Sequence, residues 1–181
     1  LAFSAIQNND KIGVIFFSDR IEKFIPPKKG RKHILYIIRE LLDFKPESTR
    51  TNVQCAIEYL TNVLKKRCTA FMLSDFIDER DFQNALTIAN RKHDVVALQV
   101  YDRRLEELPD VGLMKVKDAE TGHEQWIDTS SKALRNAHHE WWKARQQKLH
   151  DIFTHSNVDS VSVRTDQDYV KALLNLFAKR N

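Results

Sequence analysis

Short apolar runs alternate with amphipathic stretches along this chain, the pattern of strands joined by crossover helices. Residues 1–7, Leu-Ala-Phe-Ser-Ala-Ile-Gln, read as the tail of a helix stopped by the Asn-Asn-Asp of 8–10. "GVIFF", 13–17, is apolar throughout, as expected of a strand covered by helices on both faces. "IEKFIP", 21–26, returns after only Ser18, Asp19 and Arg20, which predicts an antiparallel edge strand ended by Pro26 and Pro27. Residues 31–43 carry Ile34, Ile37, Ile38, Leu41 and Leu42 at helical spacing. After the polar loop "KPESTRTN", residues 53–65 repeat that spacing with Val53, Ala56, Ile57, Leu60 and Leu64. A strand is expected over 69–73, a helix over 79–92 with Phe82, Ala85, Leu86 and Ala89 on one face, and a strand over 94–102.

Beyond residue 102 the pattern changes. "GLMKVKD" and "HEQWIDT" flank Ala119-Glu120-Thr121-Gly122 and predict a half-exposed hairpin over 113–128. Ser130 or Ser131 caps a long helix to about 154, with Leu134, Trp141, Leu149, Ile152 and Phe153 facing inward. "VDSVSVRT" gives a last strand, and 167–179 a last helix with Val170, Leu173, Leu174 and Phe177 inside. The fold class is therefore α/β: a doubly wound, mostly parallel sheet with helices on both faces, a Rossmann-type three-layer arrangement. It carries one antiparallel edge strand and an inserted hairpin, and residues 1–181 are expected to form a single domain.

Composition narrows the class without naming a partner. The chain has 181 residues, 42% hydrophobic and 30% charged, enough for one substantial core. A formal net charge of +4 is a small surplus for this length. Cys55 and Cys68 fit no disulfide framework or zinc spacing and are expected as free thiols in the cytoplasm. No apolar run approaches the ~20 residues that cross a bilayer, and "LAFSAIQNND" has no basic start to mark a signal peptide. Its opening in mid-helix is expected of a piece of a longer protein.

In an open parallel sheet, function collects at the carboxyl ends of the strands. Ser18 and Asp19, Ser74 and Asp75, and Tyr101 and Asp102 follow the three main strands, and Thr51 and Asn52 stand where the polar loop enters a helix. Hydroxyls with one carboxylate suit a hard divalent ion such as Mg²⁺. The same residues equally suit ordinary local roles: Thr51 or Asn52 as an N-cap, Asp75 as a cap or the pivot of a turn. Both readings stand at this point.

Catalysis finds little to build on. His33, His93, His123, His138, His139, His150 and His155 form no HExxH or Cys–His motif, and the four glycines are isolated, so neither a nucleophile elbow nor a phosphate loop exists. In "AHHEWW", consecutive helical residues point about 100° apart, so His138 and His139 do not grip one ion. That cluster reads as one core Trp, one Trp near the rim and solvated histidines. The basic runs 28–33 and 65–68, with Lys171, Lys179 and Arg180, leave nucleic-acid binding as a lesser alternative, because no aromatic platform accompanies them. A further alternative is a metal-independent scaffold that docks through the hairpin and the long helix, with Trp126 as an anchor.

The fragments "DKIGVIFFSD", "STRTN" and "LSDFID" resemble a von Willebrand factor A (vWA) domain, and the run "VYDRRLEELPDVGLMKVKDAETGHEQWIDTS" resembles the bacterial domain-of-unknown-function family fifty-eight across nearly the whole chain. The resemblance implies a metal-ion-dependent adhesion site built from an Asp-x-Ser-x-Ser loop, a Thr and an Asp. Thr51 matches the second position and Asp75 the third. The first loop and the N-terminal strand that carries it are expected upstream of Leu1; Ser160–Ser162, in a late strand, does not replace them. The resemblance thus implies a partial site, with Mg²⁺ or Mn²⁺ bound by the intact protein rather than by this piece. It further implies a non-catalytic protein-interaction module that captures a partner's carboxylate and acts with a MoxR-type AAA+ ATPase.

Overall fold

Apolar spacing translates into elements with few departures. The computed structural model describes residues 7–180, so the helix tail expected over 1–7 lies outside the described residues except for Gln7. In chain order the elements are β1 (Ile12–Phe17), β2 (Ile21–Lys28), α1 (Arg31–Asp43), α2 (Val53–Val63), β3 (Thr69–Ser74), α3 (Gln83–Lys92), β4 (Asp94–Tyr101), the single turn α4 (Arg103–Glu106), β5 (Leu113–Lys117), β6 (Glu124–Asp128), α5 (Lys132–His155), β7 (Asp159–Arg164) and α6 (Tyr169–Ala178).

A parallel sheet of order β3-β4-β7 lies at the centre. Its register sets Leu73 beside Leu98 and Leu98 beside Val161, so alternate residues form two apolar faces. One face buries Val95 and Ala97 against Ile57 of α2, Leu86 of α3 and Phe153 of α5. The other buries Val96 and Leu98 against Leu176 of α6. Each of these large side chains contributes about 1.5–3 kcal/mol by leaving water. Helices cover both faces, and β1–β2 and β5–β6 are the antiparallel pairs.

The pair β1–β2 makes no ladder with the parallel sheet. Among the described residues β1 pairs with no strand but β2, and β3 with none but β4, so each keeps an edge without a strand partner. The two groups nevertheless share a core, because Phe17 of β1 and Met72 of β3 pack on the same buried cluster. This qualifies the expectation that 13–17 is covered on both faces: β1 is half-buried throughout, and Leu73 of β3 is 57% exposed. Gly13 sits at a bulge where a Cβ would lie 2.7 Å from the Ile25 carbonyl, so only glycine lets the two strands approach.

Other corrections have local causes. β2 runs through Pro26 and Pro27 to Lys28 instead of ending there, since an edge strand tolerates a missing N–H on its outer side. α3 begins at Gln83, not 79, because three aspartates divert the backbone into turns: Asp75, Asp78 and Asp81 accept from the N–H groups of Ile77, Arg80 and Gln83. On α5 the inward tryptophan is Trp142 (3% exposed), packed against Tyr101 with ring centroids 5.1 Å apart and tilted by 39°, while Trp141 is 47% exposed. On α6 the buried residue is Leu176, and Val170 and Leu174 face solvent. Leu41 and Leu42 of α1 are likewise exposed.

Candidate functional site

Two loops meet at the carboxyl end of β3. Asn52 caps α2, its side chain accepting from Cys55 N at 3.0 Å, and its own N–H donates 2.9 Å to the Ser18 carbonyl after β1. The next orphan donor of the helix, Val53 N, is taken by the Asp78 carboxylate at 2.8 Å, whose side chain is only 2% exposed. Arg80 returns the link by donating 2.8 Å to the Thr51 carbonyl. Loops 48–53 and 75–80 are therefore joined by backbone-to-side-chain bonds in both directions, and the anion of Asp78 faces the positive end of the α2 dipole.

Thr51 and Asp75 stand on these joined loops, both half-buried. The Thr51 hydroxyl has no hydrogen bond among the described residues; Asp75 Oδ1 accepts from Ile77 N at 3.0 Å, closing a turn. No direct bond connects Thr51 with Asp75. Phe76, next to Asp75, adopts a left-handed backbone (φ 55) with its ring buried. That turn is held from three sides. Ser74 Oγ accepts from Phe76 N at 3.0 Å, Arg145 of α5 donates 2.8 Å to the Phe76 carbonyl, and Gln99 of β4 donates 3.3 Å to the Asp75 carbonyl. Gln99 is itself bonded by the Ser162 hydroxyl at 2.8 Å.

The remaining strand-end groups serve local structure. Ser18 donates 2.6 Å to Glu22, whose buried carboxylate also accepts from Ser48 N at 3.2 Å. The Ser18 hydroxyl, with help from that backbone N–H and from Arg20, holds the Glu22 carboxyl below the ordinary carboxylate range against the opposing effect of burial. Asp102 caps α4 through Arg104 N at 2.8 Å, and burial pushes the Tyr101 phenol up. Asp78, Glu22, Gln99 and Arg145 were not anticipated. Only Gln99 left a usable signal, a lone amide within the apolar run "VVALQV".

The hairpin reaches the same edge. Asp118 Oδ1 accepts from the N–H groups of Glu120 and Thr121 at 2.8 Å each, and these bonds hold its carboxyl below the usual range. Thr49 Oγ1 donates 2.7 Å to the Glu120 carbonyl, so the hairpin tip is fastened to the loop that carries Thr51. As a donor set, the Thr51 hydroxyl and the free Asp75 oxygen are hard oxygens of the kind Mg²⁺ and Mn²⁺ take, but they are two where such an ion takes about six. Among the described residues, no three His, Cys, Asp or Glu side chains converge as a metal site.

An open α/β domain with polar loops gathered at its strand ends is the class these observations define. The chain belongs to the family described as "Protein of unknown function DUF58", whose model matches residues 1–148. It is 27% identical over 175 residues to "Uncharacterized protein Rv1480" of Mycobacterium tuberculosis, an alignment covering 94% of this chain and 54% of that protein. The chain thus spans about half the length of that relative. It is also 27% identical over 160 residues to "Uncharacterized protein MAV169" of Mycobacterium avium, covering 86% of this chain and 93% of that one. Among solved structures, the conserved hypothetical protein BatB from Bacteroides thetaiotaomicron superposes with a TM-score of 0.59 at 17% identity, over 98% of this chain and 84% of that chain. An aerotolerance-related membrane protein from Bacteroides fragilis gives the same TM-score of 0.59 at 16% identity, over 98% and 85%. At these identities the likeness is one of fold. Among the described residues, no helix is long and apolar enough to cross a membrane.

Proposed function

We propose that this chain is a non-catalytic, vWA-type protein-interaction domain, single over residues 1–181 with the hairpin 113–128 as an insertion, whose working edge is formed by the loops of Thr51 and Asp75. The observation that carries this reading is the mutual fastening of those loops through Asp78 and Arg80, beside the left-handed turn at Phe76. Functional loops are held in this way, and strained backbone collects at such places. The free edges of β1 and β3, which share one core, support a further strand between them as part of the intact sheet. A loop following that strand would bring the oxygen donors that Thr51 and Asp75 lack.

In this reading Thr51 and Asp75 supply a hydroxyl and a carboxylate to a divalent ion, Mg²⁺ or Mn²⁺, and a partner's carboxylate is captured there. The motif resemblance extends the reading to a MoxR-type AAA+ ATPase as the machine the domain serves. A cytoplasmic setting suits the free thiols of Cys55 and Cys68. A second reading, metal-independent docking through the hairpin and α5, is favoured by one observation: Trp126 is 63% exposed on a hairpin fastened at its tip.

Calorimetric titration of Mg²⁺ and Mn²⁺ tests the metal reading. It is run on this chain and on a version extended upstream, each with its Asp75→Ala counterpart. Saturable binding by the extended protein that vanishes in Asp75→Ala is the expected result. Absence of binding in every version, or binding that survives Asp75→Ala, overturns the metal site.

A further inference from the structure

Charge is sorted along the strand direction of this domain. β3, β4 and β7 all start at one end, and Arg180 joins that end by pairing with Asp94 and Asp159. β1 starts there too: Ser18, just past its other end, meets Asn52 among the carboxyl-end loops, and Ile12 lies opposite Lys28 at the close of β2. Six segments therefore share the amino-end face: 8–11, 28–32, 64–68, 91–94, 155–159 and 178–180. Together they hold twelve Lys and Arg residues against three acids, Asp10, Asp94 and Asp159. The whole chain carries only +4, so the remainder, taken together, is net negative.

Few of these cations are paired. Among the described residues Arg180 is the one of the twelve that forms ion pairs, and it takes up two of the three acids. Lys92 donates to the Thr61 carbonyl near the end of α2. The other ten are exposed. Lys65–Arg67, Arg91 and Lys179 close or follow helices, where the dipole favours cations, and so have a local explanation. Residues 28–32 have none. Arg31 and Lys32 open α1, the end at which the dipole disfavours a cation, with no acid in the first turn and no side-chain cap. Such departures from local rules are expected where a surface serves something outside the fold.

We propose that this amino-end face lies against the surface of an anionic phospholipid bilayer. Three observations select that occupant. The cations come from loops and element ends beneath both strand groups, a broad face and not a stripe along one element. The six segments contain no Phe, Tyr or Trp on which a nucleic-acid base could stack. Eight of the twelve cations are Lys, whose compact charge suits a fluid layer of headgroups, whereas Arg is the residue of fixed, bidentate phosphate contacts. Basic clusters of this kind are drawn to anionic bilayers by charge alone. The inference does not depend on Thr51 or Asp75, which stand at the opposite end of the domain and stay accessible when this face is covered.

Co-sedimentation of this chain with vesicles, in EDTA and at low salt, is the test. The vesicles are phosphatidylcholine alone, or equal parts phosphatidylcholine and phosphatidylglycerol. Two charge-reversed triples probe separate parts of the face: Lys28→Glu/Lys29→Glu/Lys32→Glu and Lys65→Glu/Lys66→Glu/Arg67→Glu. Arg104→Glu/Lys132→Glu/Lys143→Glu, on α4 and the first half of α5, makes the same change in net charge elsewhere. All nine side chains are exposed, and circular dichroism verifies that the variants remain folded. Binding to the phosphatidylglycerol vesicles is expected, weakening as salt rises. Partitioning should fall about 100-fold or more in either face triple and about threefold or less in the control. No binding to these vesicles, equal binding to phosphatidylcholine alone, or equal losses in all three variants overturns the proposal. So does tighter binding to a DNA duplex or a single-stranded oligonucleotide at the same salt, which assigns the face to nucleic acid. EDTA keeps the outcome separate from the metal site, so either idea can fail without the other.

Discussion

Replacing Asp78 with alanine tests whether the two site loops are held together by one buried carboxylate. Asp78 Oδ2 is bonded to Val53 N at 2.8 Å, and Oδ1 to Arg80 N at 3.0 Å. Val53 is itself wholly buried. Hydrogen bonds to charged groups contribute about 1.5–3 kcal/mol, and a buried donor left unpaired costs about 1–3 kcal/mol. Loss of the favourable charge at the helix start adds about 0.3–1 kcal/mol. The Arg80 contact at 3.6 Å is left out, because Arg80 is half-exposed and such pairs contribute little. These losses overlap, so Asp78→Ala should cost about 2–4 kcal/mol, read as a lower urea midpoint at unchanged slope. For a domain of this size the melting temperature should fall by roughly 4–16 °C. Asp78→Asn keeps an acceptor of the same shape and should lose less than half as much. Asp75→Ala removes only the partly exposed Ile77 turn bond and should cost about 1 kcal/mol or less. An Asp78→Ala protein within about 0.5 kcal/mol of wild type would refute the account.

The pH dependence of stability should carry a signature of His93. Its ring is completely buried, its Nε2 has no partner among the described residues, and Nδ1 lies 3.5 Å from Cys68 Sγ. Burial, with the Lys92 charge adding, lowers its pKa from the ordinary 6.5. The folded protein therefore resists a proton that the unfolded chain accepts, and stability is lost as pH falls below about 6.5 towards the lowered folded value. Urea midpoints at pH 7.5 and 5.5 should differ more for wild type than for His93→Leu; equal differences would contradict this. The two adjacent tryptophans should also separate cleanly in urea unfolding. Trp142→Ala should cost about 3–5 kcal/mol and Trp141→Ala, which loses an exposed ring over Arg145, about 1 kcal/mol or less. Equal costs would mean that the face of α5 is misassigned.

The parallel core was legible because its signal is periodic. Val53, Ala56, Ile57 and Leu60 mark the inner face of α2 without reference to anything distant, and the largely apolar run of β4 needs no partner to be recognised. Where periodicity is degenerate the reading slipped. Trp141 and Trp142 are consecutive, and only the position of Tyr101 decides between them. Leu173, Leu174, Leu176 and Phe177 offer several apolar stripes, and the sheet face chooses Leu176. The two candidate loops were legible, but not the bonds that join them. "STRTN" and "LSDFID" mark loops that meet at the end of β3, yet nothing local distinguishes Asp75, which closes a turn with its neighbour, from Asp78, which reaches across to another helix. Contacts between residues 25 positions apart leave no periodic trace.

Phe76 is the clearest sign that this edge is built to be rigid. A left-handed backbone costs a non-glycine residue about 1–2 kcal/mol, and glycine would avoid that cost. The chain places phenylalanine there and buries the ring, which returns about 1.5–3 kcal/mol. Its pairs with Phe82 (6.2 Å) and Phe153 (5.2 Å) add about 0.5–1.5 kcal/mol each. The conformation is therefore stable only while the ring is seated, so the seat dictates the turn. A glycine at this position would tolerate the same φ but also many others. The difference lies in the number of conformations left to the loop that carries Asp75, and a loop with one conformation loses little entropy when a ligand or partner arrives. On the proposed reading of Asp75 as a ligand, that single conformation is what would keep its carboxylate in place.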